Sequence, residues 1–181
     1  MKEFNTERLL LRELQQQDAN DIYEYCSMKD VIDMIGMRLH SSIEITYKYI
    51  SHEQKKSETL AIVNRKLNKV IGTVSLRKQY NDSNLDIRLI SCIINPKYWG
   101  KGYAPEAIQQ IIMYAFEELN VHKLLGGHYS FNLQSSAVNR KLGFVYEGTQ
   151  REVYLYNGKL VDAVEYGMLE RDYMRVSQNW K

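Results

Sequence analysis

The pattern of apolar and polar residues divides the chain into strand-like and helix-like segments. Strand-like segments, rich in apolar and β-branched residues, lie at 8–14, 60–65, 70–79, 85–94, 123–130, 144–156 and 159–169. Apolar residues recur at helical spacing after residue 18, over 42–56, after the motif at 95–107, and over 134–142. The last two strands flank Asn157-Gly158, which favours a tight β-hairpin. This order predicts an α/β fold built on a mixed sheet.

The predicted helices carry further signals. Asp18 is a candidate N-cap of the first helix, and Ile43, Tyr47 and Ile50 are expected to share one face of the second. Gly143 suits the position that ends the helix before it. The strongest helical pattern consists of Ile108, Ile111, Ile112, Ala115 and Leu119.

The segment SMKDVIDMIGMRLH, residues 27–40, is rich in Met and Ile but has no clear period. One interpretation is loose packing in the core. The other is an adaptable wall of a binding site, because Met side chains repack easily.

The composition limits the class of protein. The chain has 181 residues, 44% hydrophobic and 25% charged, with a net charge of +2, so we expect a single domain over residues 1–181. No block of like charge occurs, so neither a nucleic-acid nor a membrane partner is expected. The polar start and the short apolar runs predict a cytoplasmic protein. Cys26 and Cys92 are expected to be reduced thiols, and no metal-ligand spacing is present.

The motif NPKYWGKGYAPEA, residues 95–107, lies between a predicted strand and a predicted helix. Gly100 and Gly102 let the backbone approach a ligand closely, and the first N–H groups of the helix favour a bound anion. Pro105 fits the first helical turn, where its missing N–H breaks no helical bond. The motif matches neither the nucleotide P-loop nor the dinucleotide fingerprint. It indicates a phosphate site of another kind, with a tight turn that binds no ligand as the alternative.

Four segments together resemble the GNAT superfamily of acetyl-CoA-dependent N-acetyltransferases. They are TERLLLRE, PKYWGKGYAPEA, NLQSSAVNRKLGF and NGKLVD, which begin at residues 6, 96, 132 and 157. The pattern is most similar to the RimJ/RimL branch, which acetylates the N-termini of ribosomal proteins and includes many relatives acting on small amines. The resemblance implies a GNAT-type mixed, mostly antiparallel sheet flanked by helices, with a V-shaped split between the central strands.

The resemblance also implies where coenzyme A binds. The turn would hold the pyrophosphate through its backbone amides, and Trp99 stands where many members carry Arg or Gln. The turn residues are Gly100, Lys101, Gly102, Tyr103 and Ala104. The end of the preceding strand would pair with the pantetheine arm like an added strand, and its residues are Cys92, Ile93 and Ile94.

The helix after the next strand supplies further candidates. The resemblance implies that Asn132 bonds the pantetheine and that Ser135 lies near the thioester, although both residue types also favour helix caps. Many members carry a Tyr at the position of Asn139, where it protonates the departing thiolate. Asparagine is a poor acid, so Asn139 is expected to contact the coenzyme but not to protonate the thiolate. The Glu that many relatives carry before the turn is missing, and His128 is a candidate base with a structural role as the alternative.

The closing hairpin offers two carboxylates. A two-residue loop would pair Glu152 with Ala163 and Gln150 with Glu165, which places Glu152, Tyr154 and Glu165 on one face. The two carboxylates would then lie about 7–8 Å apart on a diagonal. We expect one of them to act as the base, with a solvated strand face as the alternative. A β-bulge in either strand would turn one glutamate to the other face.

The expected activity is transfer of an acetyl group from acetyl-CoA to a primary amine by direct attack, without a metal. A protein N-terminal α-amino group needs little help from a base, because far more of it than of a lysine amine is neutral near pH 7. The alternatives are a small amine acceptor (amino-sugar, polyamine or antibiotic) and a non-catalytic coenzyme A-binding module. Basic ribosomal substrates would favour an acidic surface around residues 27–40. A homodimer is left open.

Overall fold

The structure is a computed structural model that describes residues 1–79 and 84–180. The strands in these residues are β1 (Phe4–Asn5), β2 (Leu9–Glu13), β3 (Thr59–Asn64), β4 (Lys69–Gln79), β5 (Ile87–Ile94), β6 (Lys123–Tyr129), β7 (Val145–Tyr156) and β8 (Lys159–Leu169). The α-helices are α1 (Ala19–Cys26), α2 (Lys29–Asp33), α3 (Ile43–Lys56), α4 (Tyr103–Glu117), α5 (Leu133–Leu142) and α6 (Glu170–Ser177). Short 3-10 helices cover Gln16–Asp18 and Pro96–Tyr98.

The chain separates into two compact units, and the unit boundaries fall within β4, β5 and α4. The first consists of Met1–Arg77 and Ser91–Gln110, and the second of Lys78–Ile90 and Ile111–Lys181. The strand order is β1-β2-β3-β4-β5 in the first unit and β5-β6-β8-β7 in the second. The single domain over residues 1–181 stays a prediction.

The strand pairing confirms the predicted mixed, mostly antiparallel sheet. Pairing is antiparallel at β1–β2, β2–β3, β3–β4, β6–β8 and β7–β8. It is parallel at β5–β6, where residues 87–89 pair with residues 123–125. Beyond these pairs β5 runs on to Ile94 and β6 to Tyr129.

The core of the first unit forms where α1 and α3 pack on the strands. Its buried residues include Leu14, Ala19, Ile22, Tyr25, Cys26, Ile32, Ile50, Ala61, Val63 and Val70. Burial of each such aliphatic side chain stabilises the folded state by about 1.5–3 kcal/mol. Asp18 directly precedes α1, but its carboxylate accepts hydrogen bonds from Arg12 at 2.8 Å instead of capping the helix.

Helix α3 contains the predicted residues Ile43, Tyr47 and Ile50, but they are not equally buried. Tyr47 is 42% exposed, whereas Thr46, Ile50 and Glu53 are buried. Glu53 can be buried because Arg77 places Nη2 3.2 Å from its Oε2. Local spacing cannot predict this ion pair, which accompanies the burial of Glu53.

The core of the second unit includes the C-terminal half of α4. Ile111, Ile112 and Ala115 are buried there, and Phe116 stacks on Tyr173 with ring centroids 5.1 Å apart. The helix ends at Glu117, two residues before the last position of the predicted apolar pattern.

The predicted register of the closing hairpin was wrong beyond its first pairs. Asn157 and Gly158 form the turn with φ values of 48° and 75°, and the first pairs agree with the prediction. Residues 151–153 of β7 then lie opposite the single residue Asp162, so Gln150 rather than Glu152 pairs with Ala163. A second bulge, at Glu147, places Gly148 opposite Glu165. The bulged chain at Glu152 has a φ of 57° and is held by its N–H, which donates to Asp162 Oδ1 at 2.9 Å.

Candidate functional site

The glycine turn joins β5 to α4 in the first unit. Gly100 and Gly102 adopt φ values of 72° and 80°, which cost a residue with a side chain about 1–2 kcal/mol. The first hydrogen bond of α4 runs from Glu106 N–H to the Gly102 carbonyl at 3.2 Å. The N–H groups of Tyr103 and Ala104 precede this bond and have no intrahelical acceptor. A turn of this shape fits a pyrophosphate.

Arg8 holds this turn in place. Its Nη1 donates to the Lys101 carbonyl at 2.9 Å, and its Nε donates to Glu106 Oε2 at 2.7 Å. Thr6 Oγ1 donates to the other carboxylate oxygen of Glu106 at 2.6 Å. The Arg8 guanidinium also lies 4.7 Å from the ring centroid of Tyr103. Sequence reasoning missed Arg8 and Glu106, because no local pattern links residues 98 positions apart.

The end of β5 is fixed by the residues that follow it. Trp99 Nε1 donates to the Ile94 carbonyl at 2.6 Å. The N–H of the buried Asn95 donates to the Ile71 carbonyl of β4 at 2.8 Å. Because the Ile94 carbonyl already accepts the indole N–H, an added strand would pair mainly through other backbone groups of this segment. The sequence-predicted residues Cys92 and Ile93 are half-buried, and Ile94 is buried.

Asn132 caps helix α5 in the second unit. Its Oδ1 accepts the N–H of Ser135 at 3.0 Å, and its side chain is buried. The cap considered in the sequence analysis is therefore present. Ser135 lies in the first turn of α5 and is half-buried, and its N–H rather than its hydroxyl takes part in the cap.

Asn139 packs on strand β6. A Cβ added at Gly126 would lie 3.1 Å from Asn139 Oδ1 and 3.4 Å from Phe144 Cε1. The carbonyl of Asn139 accepts the N–H of Phe144 at 3.0 Å, at the end of α5. The absence of a side chain at Gly126 therefore gives Asn139 its place against β6.

The two hairpin glutamates differ in their surroundings. Glu165 is half-buried, and its carboxylate accepts a hydrogen bond from the Gln150 side chain. Glu152 is exposed and lies in the bulge opposite Asp162. The predicted arrangement of Glu152 and Glu165 on one regular face is wrong, because the bulge removes the regular alternation between them.

His128 lies on β6 with its ring oriented by the backbone. Its Nδ1 is 2.8 Å from the Tyr129 carbonyl. A carbonyl only accepts hydrogen bonds, so Nδ1 carries the proton in the neutral ring. Among the described residues its buried Nε2 has no hydrogen-bond partner. The ring stacks on Tyr166 with centroids 5.7 Å apart, a contact that suits a structural histidine.

The two thiols, Cys26 and Cys92, are poor nucleophiles. Burial raises the pKa of both Cys26 and Cys92 to about 12, so the thiolate is scarce near neutral pH.

Within residues 1–79 and 84–180, no three His, Cys, Asp or Glu side chains are placed to hold a metal ion. Over the same ranges, every helix is too short or too polar to cross a membrane.

Comparisons with known proteins find relatives of one family over most of the chain. The family model described as "Acetyltransferase (GNAT) domain" matches residues 8–145. The N-acetyltransferase YnaD of Bacillus subtilis is 27% identical over 168 residues, which are 93% of this chain and 97% of YnaD. The spermidine N(1)-acetyltransferase of Vibrio cholerae is 25% identical over 94% of this chain and 98% of its own length. The crystal structure of a GNAT-family acetyltransferase from Bacillus anthracis superposes with a TM-score of 0.85 at 26% identity, covering 94% of this chain and 99% of the other.

The matched family region contains the glycine turn, the strand that leads into it and the Asn132 cap. The comparisons do not distinguish the RimJ/RimL branch from other branches. The chain belongs to the GNAT acetyltransferase family and is an N-acetyltransferase.

Proposed function

We propose that this protein transfers the acetyl group of acetyl-CoA directly to a primary amine of low pKa, a protein N-terminal α-amino group or a small amine. The observation that supports this best is the turn before α4. It contains two left-handed glycines, and Arg8, which lies in the bend between β1 and β2, fixes it. A turn that is held rigidly and whose backbone a ligand can approach is suited to bind a pyrophosphate. A turn that only connects a strand to a helix would not need these features.

We assign the coenzyme contacts as follows. The N–H groups of the turn hold the pyrophosphate, flanked by Trp99, and the strand end pairs with the pantetheine arm. The residues are Gly100, Lys101, Gly102, Tyr103 and Ala104 in the turn, and Cys92, Ile93 and Ile94 in the strand. Asn132 contacts the pantetheine, and Asn139 contacts the coenzyme from the same helix.

The reaction joins the amine nitrogen to the thioester carbonyl carbon and breaks the carbon–sulfur bond. The nitrogen loses one proton and the departing sulfur gains one, so the products are an N-acetyl amine and coenzyme A. Ser135 donates its hydroxyl hydrogen bond to the departing sulfur. Glu165 receives the amine proton, directly or through one water, because it is half-buried and held by Gln150. Glu152 is the less suitable of the two predicted carboxylates, because it is exposed in a bulge.

Direct attack is supported by the two thiols. A covalent acetyl-enzyme would need a nucleophile, and the raised pKa of Cys26 and Cys92 keeps both protonated near neutral pH. We therefore propose transfer without an acetyl-cysteine intermediate.

The test is calorimetric titration of acetyl-CoA into the wild type, Gly102→Ala and Gly158→Ala. Both glycines have similar positive φ, 80° and 75°, so an added Cβ strains both backbones alike. Only at Gly102 does the Cβ meet a neighbour, Arg8 Nη2 at 3.4 Å. We expect Gly102→Ala to weaken acetyl-CoA binding about tenfold or more, and Gly158→Ala to leave it unchanged.

Thiol release from acetyl-CoA with a panel of amines completes the test. Release with at least one amine is expected from wild type. Tight coenzyme binding with no release from any amine would identify a non-catalytic coenzyme A-binding module. Equal affinities of the two glycine variants would reject the assignment of the turn.

A further inference from the structure

A cavity of about 550 Å³ lies in the first unit, between the segment after α2 and helix α3. The apolar part of its wall is formed by Met37, Ile45 and Tyr49. The basic part is formed by Arg38, His40, Lys48 and His52. We call this site, defined by these seven residues, the basic cavity.

The basic cavity adjoins a second, smaller cavity that reaches strand β5. Met37 and Tyr49 line both cavities. The smaller one has about 20 Å³, room for one water molecule, and extends to Ser91 and Ile93. Ile93 belongs to the strand end assigned above to the pantetheine arm. A ligand in the basic cavity therefore contacts the same Met37 and Tyr49 side chains that line the cavity beside β5.

The two charged side chains that line the basic cavity on its exposed side, Arg38 and Lys48, are both cations. None of the described residues that line either cavity is Asp or Glu. Burial lowers the pKa of His40, so its ring is neutral near pH 7. Glu44 precedes Lys48 by one helical turn and interacts with its charge, but it does not line the cavity.

The buried carboxylate near the smaller cavity, Glu53, is already paired with a cation. Glu53 Oε2 lies 3.2 Å from Arg77 Nη2, and Thr59 donates a hydrogen bond to the same carboxylate oxygen. A cationic acceptor such as a polyamine would need carboxylates to replace its hydration, and the walls of these cavities offer none. An anionic group would instead meet two cations, of which the Arg38 guanidinium is suited to bidentate contact with carboxylate or phosphate.

We propose that the basic cavity binds the acceptor, and that the acceptor is a small primary amine with an apolar body and an anionic group, a carboxylate or a phosphate. The anion contacts Arg38 and Lys48, and the body packs on Met37, Ile45 and Tyr49. This selectivity opposes that of the spermidine acetyltransferase relative, whose named substrate is a polycation. The inference rests on the proposed function, since the bound group is the acceptor of that reaction.

The test compares amines in pairs with and without the anion, and each KM is expressed for the neutral form of the amine, because the anion also raises the pKa of the amine. Thiol release would be measured at saturating acetyl-CoA and constant ionic strength with L-methionine against L-methioninamide, O-phosphoethanolamine against ethanolamine, and spermidine. We expect a KM about tenfold or more lower for the anionic member of at least one pair, and the pair that responds identifies carboxylate or phosphate. Arg38→Gln/Lys48→Gln should abolish that preference. Lys55→Gln, which removes a charge from the same helix outside the cavity wall, should retain it.

A second readout does not depend on turnover. N-acetyl-L-methionine and its amide would be titrated calorimetrically into the protein with bound coenzyme A, with 2-acetamidoethyl phosphate against N-acetylethanolamine as the phosphate pair. If the anionic compound of a pair binds to wild type and not to the double variant, the result would support the basic cavity. This would hold even if no amine released thiol, since the absence of thiol release would reject only the proposed catalysis. Preference for spermidine or for the uncharged amines, or a double variant that behaves like Lys55→Gln, would overturn the inference while leaving acetyl transfer intact.

Discussion

Arg8 donates two hydrogen bonds to the Glu106 carboxylate, from its backbone N–H at 2.9 Å and from its Nε at 2.7 Å. The same guanidinium holds the Lys101 carbonyl, so one side chain joins the start of α4 to the glycine turn. A phosphate site built on backbone N–H groups binds more tightly when those groups are held in place before the ligand arrives. The Arg8–Glu106 pair supplies that rigidity.

The first prediction concerns the pH dependence of this pair. Partial burial acts to raise the pKa of Glu106, but hydrogen bonds from Thr6 and Arg8 outweigh it and lower the pKa below its ordinary value of 4.5. A lowered folded-state pKa stabilises the fold above the unfolded value and loses that effect as the pH falls through the folded value. Glu106→Gln should therefore cost about 1 kcal/mol at pH 7, discounted because Arg8 is partly exposed.

The measurement for Glu106 is urea unfolding of wild type and variant between pH 3 and 7. The difference in unfolding free energy should shrink below about pH 4. Acetyl-CoA affinity at pH 7 should fall as well, since the turn loosens. Glu7→Gln, an exposed neighbour of Arg8, is the control and should change neither quantity. A pH-independent difference for Glu106→Gln would mean that the carboxylate charge does not matter.

The second prediction separates the two roles of Asn132. Serine keeps the N-cap but lacks the amide donor, whereas alanine loses both. Asn132→Ala should reduce stability by about 1 kcal/mol, and Asn132→Ser by clearly less. If the side-chain amide contacts the pantetheine, both variants should lose acetyl-CoA affinity equally. Calorimetry on Asn132→Ser that returns wild-type affinity would leave the cap as its role.

The sequence could predict those parts of the fold that local chemistry determines. The left-handed turn at Asn157-Gly158 and the glycine turn before α4 depend on residues that tolerate positive φ, so they are visible in the sequence. The cap at Asn132 follows in the same way from its residue type and its place before a helix. Two of these features, the glycine turn and the Asn132 cap, belong to the coenzyme contacts proposed above.

Features determined by contacts between distant residues could not be predicted. The bulge at Glu152 depends on the hydrogen bond from its N–H to Asp162, and spacing alone cannot show it. The buried side of α3 depends on Arg77 reaching Glu53 from strand β4. Local pattern reasoning assumes regular alternation, so it fails where a side chain from another element changes the register or neutralises a buried charge.

The third prediction concerns the base. Glu165→Gln should lower the turnover number about tenfold or more across the pH–rate profile, because it removes a proton acceptor. Glu152→Gln is the control: it makes the same substitution at an exposed position in the bulge, and it should retain wild-type turnover. The same amine must be used throughout, so that its own pKa is constant. If the two variants have the same profile as wild type, the low pKa of the amine explains the reaction without a base.

The last prediction concerns the contact between β4 and β5 in the first unit. A Cβ added at Gly72 would lie 2.1 Å from the Ile93 carbonyl oxygen and 2.9 Å from Ile94 Cδ1. The oxygen belongs to the backbone and cannot rotate away, so Gly72→Ala must displace the strand end that is assigned to the pantetheine arm. Overpacking of this kind costs about 1–3 kcal/mol.

Gly72→Ala should therefore lower both the unfolding free energy and, in the folded fraction, the affinity for acetyl-CoA. Gly148→Ala is the matched stability control, because Gly148 also lies in a strand but has no atom within 4 Å of an added Cβ. Urea unfolding measures the first effect, and calorimetry well below the melting temperature measures the second. A variant that is destabilised yet binds acetyl-CoA normally would separate the packing of Gly72 from the coenzyme site. It would also show that the position of the residue 93 carbonyl does not govern pantetheine binding.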